Sequence, residues 1–258
     1  MIKSTIARPF EEYSKRFKHI RITRRDGIIE LCVHTDGDSL KWGALPHEEL
    51  GYCFQDVAND PENKVVIITG AGDVFCTETD IGSWNFTPQN WAHIHQESKR
   101  LLNSLLDIEA PIIGAVNGPA HIHAELAVMS DIVIASDRAT FGDSVHFSLG
   151  VVPGDGVQAI WPALLGPNRG RYFLLMGQEL SVREALDLGV VSEIVPQEDL
   201  SNRAWAIAEQ IAARPAVARR YARVLLTQEI KRLMQEQLSY GLGLEGLALM
   251  EFVPANAD

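Results

Sequence analysis

Residues 111–131 read PIIGAVNGPAHIHAELAVMSD, which combines a short apolar run, a loop with glycine and two histidines, and a short helical pattern. The apolar run over residues 111–116 predicts a buried strand of a parallel sheet, because such strands are covered on both faces. Residues 126–130 predict a short helix, and residues 131–135 (DIVIA) predict another buried strand. The stretch therefore indicates strand, loop and helix units, whose functional residues lie where loops leave the carboxyl ends of strands.

The same alternation extends towards the N-terminus. Residues 19–24 and 27–34 predict two strands joined by a tight turn. Residues 46–58 have helical spacing of apolar side chains, and residues 91–107 predict a second helix. Between them, residues 65–69 (VVIIT) predict a buried strand. The first half of the chain therefore predicts an α/β protein with a parallel sheet.

Beyond residue 155 the pattern becomes mainly helical. A helix is predicted over residues 181–188 with Ser181 as its N-cap, and a strand over residues 190–195. Residues 201–213 and 215–250 predict long helices that pack on the core or on a neighbouring subunit. Because glycine weakens helices, the last helix is predicted to break near Gly241, Gly243 and Gly246.

Composition limits the function classes. The chain has 258 residues, of which 46% are hydrophobic, and 23 basic against 34 acidic residues give a net charge of -11. This excess of negative charge argues against nucleic-acid and anionic-membrane partners. The N-terminal residues lack the apolar run of a signal peptide, so we expect a cytoplasmic protein. The odd cysteine count argues against a disulfide framework or structural zinc site formed by Cys32, Cys53 and Cys76.

Three segments in order resemble the crotonase (enoyl-CoA hydratase/isomerase) superfamily. They are residues 65–80 (VVIITGAGDVFCTETD), residues 111–131 continuing to ATFG at 139–142, and residues 176–196 (MGQELSVREALDLGVVSEIVP). The resemblance implies the crotonase fold, an α/β fold in which stacked ββα units form a spiral core.

The resemblance also implies how the chain is divided. The crotonase-like core is expected over residues 1–200. A C-terminal helical region, residues 201–258, is expected to mediate trimerisation, giving a homotrimer or a hexamer built as a dimer of trimers.

The departures from the usual family pattern concern its oxyanion segments and glutamates. Residues 121–124 read HIHA where family members have a glycine-rich stretch, and Thr77 and Glu78 replace small residues. Glu125 matches the first glutamate of the hydratases, but residues 143–147 (DSVHF) supply histidine instead of the second. These departures resemble the β-diketone hydrolase subgroup, of the 6-oxocamphor hydrolase type.

The subgroup resemblance implies a hydrolase that cleaves the C–C bond of cyclic β-diketones by a retro-Claisen reaction, giving a keto acid. His146 and Asp155 are expected to form the acid/base pair, with Asp155 on the ring nitrogen remote from the reaction. His123 is expected to bind a carbonyl or protonate the enolate, and Glu245 to orient or activate water. From the residues alone, a loop histidine at 146 and a helix-capping aspartate at 155 are equally open interpretations.

The remaining aromatic and acidic candidates have two interpretations each. Trp42 matches a tryptophan whose indole N–H donates to a substrate oxygen, but simple core packing is an equal alternative. Trp84 is expected to form an apolar wall that selects a bulky alicyclic substrate. For Glu125 we favour a structural role at the start of the following helix.

Three histidines are left out of the predicted site. His121 is expected to point to the opposite side from His123 in an extended segment. His93 and His95 are expected on a solvated helix surface.

Two other function classes compete with the hydrolase. One is an acyl-CoA hydratase or isomerase of the same fold, and the other is an oligomeric binding protein without catalysis. A metal set formed by His121, His123, His146 and Asp155 is also conceivable. The family resemblance implies no metal and no cofactor, so the expected ligand is a small-molecule diketone alone.

Overall fold

The computed structural model describes residues 6–252. Residues 1–5, at the start of the predicted core, and residues 253–258, at the end of the predicted helical region, lie outside the described residues. The strands are β1 (Ile20–Arg25), β2 (Ile28–Val33), β3 (Leu40–Trp42), β4 (Val65–Gly70), β5 (Cys76–Thr79), β6 (Ile112–Val116), β7 (Ile132–Ser136), β8 (Thr140–Phe141), β9 (Leu180–Ser181) and β10 (Glu193–Val195). The helices are α1 (Phe10–Tyr13), α2 (Ala44–Asn59), α3 (Pro88–Asp107), α4 (Glu125–Val128), α5 (Val157–Leu165), α6 (Pro167–Met176), α7 (Val182–Asp187), α8 (Leu200–Ala212), α9 (Ala216–Leu226) and α10 (Gln228–Leu249).

The central sheet has the strand order β1-β2-β4-β6-β7-β10. Its first pair is antiparallel, and the later neighbours are parallel. Side chains of β4 alternate between two apolar clusters, with Val66 and Ile68 on one face and Val65 and Ile67 on the other. The second cluster includes residues of α8, so the strand is buried on both faces. The predicted α/β class is therefore confirmed.

Two small sheets next to the central sheet position the histidine-rich loop. β3 pairs with β5 in parallel, and β8 pairs with β9 in antiparallel. Ala120 forms bridges to both Cys76 and Phe141, which connects the two small sheets. The loop that follows Ala120 is therefore fixed between β5 and β8, close to the end of β3.

Most element boundaries agree with the sequence within a few residues, and the N-cap prediction is confirmed. Ser181 Oγ accepts from the Glu184 amide, and the Glu184 carboxylate accepts from the Ser181 amide. The strand predicted over residues 190–195 is shorter than expected. The amides of Val190 and Val191 bond to the Ala185 carbonyl at the end of α7, so the strand begins at Glu193.

The C-terminal helices correct the prediction of a break at the glycines. The chain bends at Thr227, between α9 and α10, and α10 then continues through all three glycines. A Cβ on Gly246 would lie 1.9 Å from Nε1 of Trp91, whose indole donates to the Leu242 carbonyl. Glycine at this position therefore serves close packing between α10 and α3 and does not interrupt the helix.

The last helix packs against the part of the chain where the core is predicted. α10 contacts α3 and α5 of the expected core, and the division into residues 1–200 and 201–258 stays a prediction. Among residues 6–252, no helix combines the length and apolar character that crossing a membrane requires.

Gly246→Ala should destabilise the protein, because the added methyl group would overlap the Trp91 indole. Overpacking of this kind costs about 1–3 kcal/mol. Gly243→Ala is the matched control, since a Cβ there meets no atom within 4 Å and alanine favours helix by about 0.5–1 kcal/mol. Urea unfolding followed by circular dichroism measures both changes. Equal stability of the two variants would contradict the packing role of Gly246.

Candidate active site

All six predicted site residues line a single cavity of about 410 Å³. Its wall is mostly apolar and aromatic. The predicted residues in the wall are Trp42, Trp84, His123, His146, Asp155 and Glu245. The fold therefore brings together side chains that are separated by up to about 200 positions in the sequence.

Different elements position these side chains. Trp42 is the last residue of β3, and Glu245 projects from α10. His146 and Asp155 lie in loops, Asp155 two residues before α5. His123 lies between β6 and α4 with a φ of 50°, a left-handed conformation that favours glycine. A histidine thus adopts a glycine-like backbone conformation in the segment where the family resemblance expects a glycine-rich stretch.

Asp155 lies between the two catalytic candidates. Its Oδ2 is 3.4 Å from Nε2 of His146 and 3.5 Å from Nδ1 of His123. All three side chains are largely buried, with 8% of the Asp155 side chain exposed. One carboxylate oxygen is therefore shared by two imidazole rings.

The orientation of His146 differs from the prediction. Its Nδ1 contacts Asp143 Oδ1 at 2.6 Å, so Asp143, and not Asp155, holds the remote ring nitrogen. Asp155 instead faces Nε2 of His146. Glu245 faces the same nitrogen, with its Oε1 3.9 Å from Nε2. Sequence reasoning missed Asp143, although its i, i+3 spacing from His146 was the available signal.

Glu125 also differs from its predicted structural role. Its Oε1 lies 2.5 Å from Nδ1 of His123, the carboxyl group is buried, and it lines the cavity. Its other oxygen has no hydrogen-bond partner among residues 6–252. Glu125 therefore belongs to the ionisable cluster and fixes His123.

The neighbouring carboxylates favour the protonated form of both histidines. Burial lowers the pKa of His146, but Asp155 and Asp143 outweigh this effect and keep the pKa well above its ordinary value. Burial likewise opposes protonation of His123, yet Glu125 and Asp155 raise its pKa. Each imidazole is therefore stabilised in its protonated form by a buried carboxylate pair.

Asp155, Glu245 and Glu125 differ in their proton affinity. Burial acts to raise the pKa of Asp155, but the His146 imidazolium outweighs it and lowers the pKa below its usual range. Burial and the charge of Asp155 raise the pKa of Glu245 well above its ordinary value. Burial also raises the pKa of Glu125, opposed by His123. The cluster thus separates an ionised carboxylate, Asp155, from carboxyl groups that retain protons more readily.

A histidine–serine pair in the cavity wall was missed by sequence reasoning. His47 Nε2 contacts Ser98 Oγ at 3.1 Å, and burial lowers the pKa of His47. Ser98 Oγ donates to the Ile94 carbonyl, so the hydroxyl accepts from His47. His47 lies on α2 without any motif around it, and no local signal in the sequence distinguishes it from a surface histidine.

The tryptophans frame the cavity from one side. The ring of Trp42 lies over His123 with centroids 3.8 Å apart, and only 3% of Trp42 is exposed. Trp84 packs edge-on against His47 and stacks on Phe86. Trp42 is therefore both packed and in contact with the cluster, and Trp84 lies in the apolar wall.

The histidines left out of the predicted site lie elsewhere. His121 Nε2 contacts Thr140 Oγ1 at 2.7 Å and the Glu179 carboxylate at 3.2 Å. His93 is exposed and contacts Glu97, while His95 is half-buried against the Ser239 carbonyl. These residues are absent from the cavity wall.

Two sets of side chains have a spacing that would suit a metal ion. His123, Glu125 and Asp155 form one set, and His146, Asp155 and Glu245 form the other, each with ligand atoms within 4.8 Å of one another. Both sets include Asp155 and a histidine whose pKa is raised. A raised pKa favours the protonated imidazole, and metal binding requires the neutral ring. The absence of a metal stays a prediction.

Comparison with solved structures reveals close similarity to a β-diketone hydrolase from the cyanobacterium Anabaena sp. PCC 7120, bound to (S)-3-oxocyclohexyl acetic acid. The TM-score is 0.93 at 41% identity, over 96% of this chain and 100% of that one. An enoyl-CoA hydratase/isomerase from Mycobacterium paratuberculosis has a TM-score of 0.84 at 25% identity, over 92% and 95% of the two chains. The predicted crotonase fold and resemblance to β-diketone hydrolases are confirmed.

Among curated proteins, the chain is similar to carnitinyl-CoA dehydratases. The protein from Citrobacter koseri is 30% identical over 205 residues, which cover 74% of each chain. That from Proteus mirabilis is 30% identical over 195 residues, which cover 75% of this chain and 74% of the relative. The model of the enoyl-CoA hydratase/isomerase family matches residues 44–245. The chain therefore belongs to the enoyl-CoA hydratase/isomerase family.

Proposed function

We propose that the protein is a hydrolase that cleaves the C–C bond of cyclic β-diketones by a retro-Claisen reaction, giving a keto acid. The observation that carries this proposal is the Asp155 carboxylate between His123 and His146 in a largely apolar cavity. This arrangement supplies side-chain acids and bases beside a wall suited to an alicyclic ring. The Anabaena relative, bound to an oxocyclohexyl acetic acid, supports a ring-bearing keto acid as product.

The first step adds water to one carbonyl of the diketone. The neutral form of His146, which its raised pKa makes available only at higher pH, takes a proton from water at Nε2, while Asp143 keeps the Nδ1 proton in place. The hydroxide oxygen bonds to the carbonyl carbon, and the carbonyl oxygen becomes an alkoxide. Glu245, 3.9 Å from His146 Nε2, orients the water.

The second step breaks the C–C bond. The alkoxide reforms a C=O bond, giving a carboxylic acid, and the electron pair of the broken bond passes into an enolate at the other carbonyl. His123, held as an acid by Glu125, protonates the enolate carbon, and the Trp42 indole N–H is available to the second carbonyl. The proton that His146 took from water equals the one that His123 gave to carbon, and proton exchange with solvent restores both rings.

The loop geometry supports chemistry by side chains. The amides of His121 and Ile122 both donate to the Cys76 carbonyl, at 2.9 and 3.1 Å. These two donors are therefore bonded within the protein. Glu78, which replaces a small residue of the usual oxyanion segment, forms an exposed ion pair with Lys41 at 2.9 Å.

An acyl-CoA hydratase or isomerase activity is the second candidate. It is favoured by Glu125, which lines the cavity at the position of a hydratase glutamate, and by the similarity to carnitinyl-CoA dehydratases. It requires a carbonyl bound by backbone amides, for which the bonded His121 and Ile122 amides are unsuited. The diketone reaction uses every polar group of the central cluster, and we therefore prefer it.

Exposed apolar side chains on the last two long helices support self-association. These side chains are Val217, Tyr221, Leu225, Leu226, Tyr240, Leu244 and Leu247. A patch of this kind on a folded chain marks an interaction surface. We assign it to self-association, as a homotrimer or a hexamer in the cytoplasm, in keeping with the oligomeric family.

Incubation with a panel of substituted and bicyclic 1,3-diketones should consume their ultraviolet absorbance and yield keto acids detectable by mass spectrometry. His146→Ala and Asp155→Asn should each lower kcat by roughly 10²- to 10⁴-fold, since general acid–base catalysis contributes about that much. His121→Ala is the matched control and should retain activity, because His121 lies outside the cavity.

No diketone turnover, together with hydration of an enoyl-CoA, would replace the first proposal by the second. A chelator should leave the rate unchanged. Inhibition that added metal reverses would contradict the assignment of a metal-free site.

The pH dependence of kcat/KM should reveal the carboxylates around His146. The base form of His146 is the neutral ring, so its raised pKa places the rising limb of the profile on the alkaline side of an ordinary histidine. Asp143→Asn keeps an acceptor at Nδ1 but removes a negative charge, which should lower that pKa and move the limb to lower pH. Glu179→Gln, which removes the carboxylate beside His121, should leave the limb in place. An unmoved limb in Asp143→Asn would exclude His146 as the base.

Size-exclusion chromatography with light scattering should give three or six times the mass of one chain. Leu225→Glu should shift the distribution towards smaller species, because it puts a charge on the exposed apolar face of α9. Gln210→Glu adds the same charge at an exposed polar position of α8 and should leave the mass unchanged. A monomeric wild-type protein would contradict the assignment.

A further inference from the structure

The side chain of Gln158 spans the segment that carries Asp155. Its Oε1 accepts from the Gly156 amide at 2.8 Å, and its Nε2 donates to the Gly154 carbonyl at 3.1 Å. Gly154 and Gly156 are the two neighbours of Asp155 in the chain. One amide side chain therefore holds the backbone on both sides of the shared carboxylate.

The same side chain connects this segment to α10. Nε2 of Gln158 also contacts the Gln237 carbonyl at 3.3 Å. Gln237 lies two helical turns before Glu245 on the helix that carries this second carboxyl group. The Asp155 segment and the Glu245 helix are thus joined by a polar contact.

Two glycines make this connection possible. A Cβ on Gly241 would lie 2.2 Å from Gln158 Nε2 and 2.3 Å from the Gly154 oxygen. A Cβ on Gly154 would lie 2.2 Å from the Gly241 oxygen and 2.9 Å from the Glu245 Cβ. The backbone before Asp155 is therefore packed directly against α10, with no side chain between them.

We infer that Gln158 is a positioning residue that sets the distance of Asp155 from His146 and Glu245 by clamping residues 154–156 onto α10. The inference deepens the proposed function, because it concerns the carboxylate on which that reaction depends. It involves no contact with the substrate, and Gln158 is absent from the cavity wall. No motif in the sequence identified this residue.

The clamp has a chemical consequence for His146. The carboxyl groups that face this imidazole are Asp143 from its own loop, Asp155 from the clamped segment and Glu245 from α10. Displacement of Asp155 alone would weaken the attraction at Nε2 and leave the Asp143 contact intact. A shift of about 1 Å in such a group is enough to reduce a rate by roughly 10²-fold.

The test uses Gln158→Met, which keeps the chain length but removes all three hydrogen bonds. Asn63→Leu is the matched control, because the Asn63 amide likewise makes three contacts, to Tyr13, Val57 and Arg24, away from the cavity. NMR titration of ¹³C-labelled histidine measures the pKa of His146, thermal unfolding measures stability, and diketone kinetics measure kcat and KM.

Gln158→Met should lower the pKa of His146 and reduce kcat roughly 10- to 100-fold with little change in KM. Asn63→Leu should lose comparable stability with neither effect. A wild-type pKa in Gln158→Met, or the same shift in Asn63→Leu, would overturn the inference. If Gln158→Met does not fold, Gln158→Ala decides with the same expected drop in pKa, since it removes all three hydrogen bonds and adds no charge. The histidine titration needs no substrate, so it tests the clamp even if the diketone assay fails.

Discussion

The attraction between buried carboxylates and two imidazole rings is the interaction on which the site depends. A buried carboxylate without a partner is strongly destabilising, and here Glu125, Asp143, Asp155 and Glu245 are all largely removed from water. His123 and His146 contribute positive charge at the centre of this group, and the raised proton affinity of Glu245 reduces the remaining negative charge. Folding and proton distribution are consequently coupled, because the cluster is tolerable only when its protons are shared in this way.

The scaffold meets this requirement by bringing backbones unusually close. Gly154 and Gly241 place the Asp155 segment directly on α10, and Gly246 admits the indole of Trp91. These contacts fix α10 against the elements that carry the other site residues. The helix is thus part of the active-site wall, in addition to presenting an exposed apolar face. Small residues in a helix, which reduce its intrinsic stability, are compensated here by contacts that only they permit.

The sequence predicts the elements better than the contacts between them. Apolar periodicity identifies β4 and β6, and the local pattern of serine and glutamate identifies the start of α7. The continuity of α10 through its three glycines could not be predicted, because the effect of a helical glycine depends on what packs against it. For the site, resemblance supplied His123, His146, Asp155 and Glu245, whereas His47 became apparent only from the fold. Asp143 shows the limit of sequence reasoning most clearly. Its spacing from His146 is visible in the sequence, but only the three-dimensional structure shows that Asp143 contacts Nδ1 and that Asp155 faces Nε2.

The fold by itself does not decide the chemistry. An enoyl-CoA hydratase/isomerase superimposes with a TM-score of 0.84, so the same backbone supports a family associated with CoA substrates. What differs is the source of the polar groups around the reacting carbonyl. His123 keeps a left-handed φ suited to glycine but adds an imidazole, and the preceding amides of His121 and Ile122 are bonded to Cys76. In the proposed reaction, the His123 side chain therefore supplies the proton, and these two amides do not take part. Hydrolysis of a diketone requires such a group because its enolate product must receive a proton at carbon, which a backbone amide cannot supply.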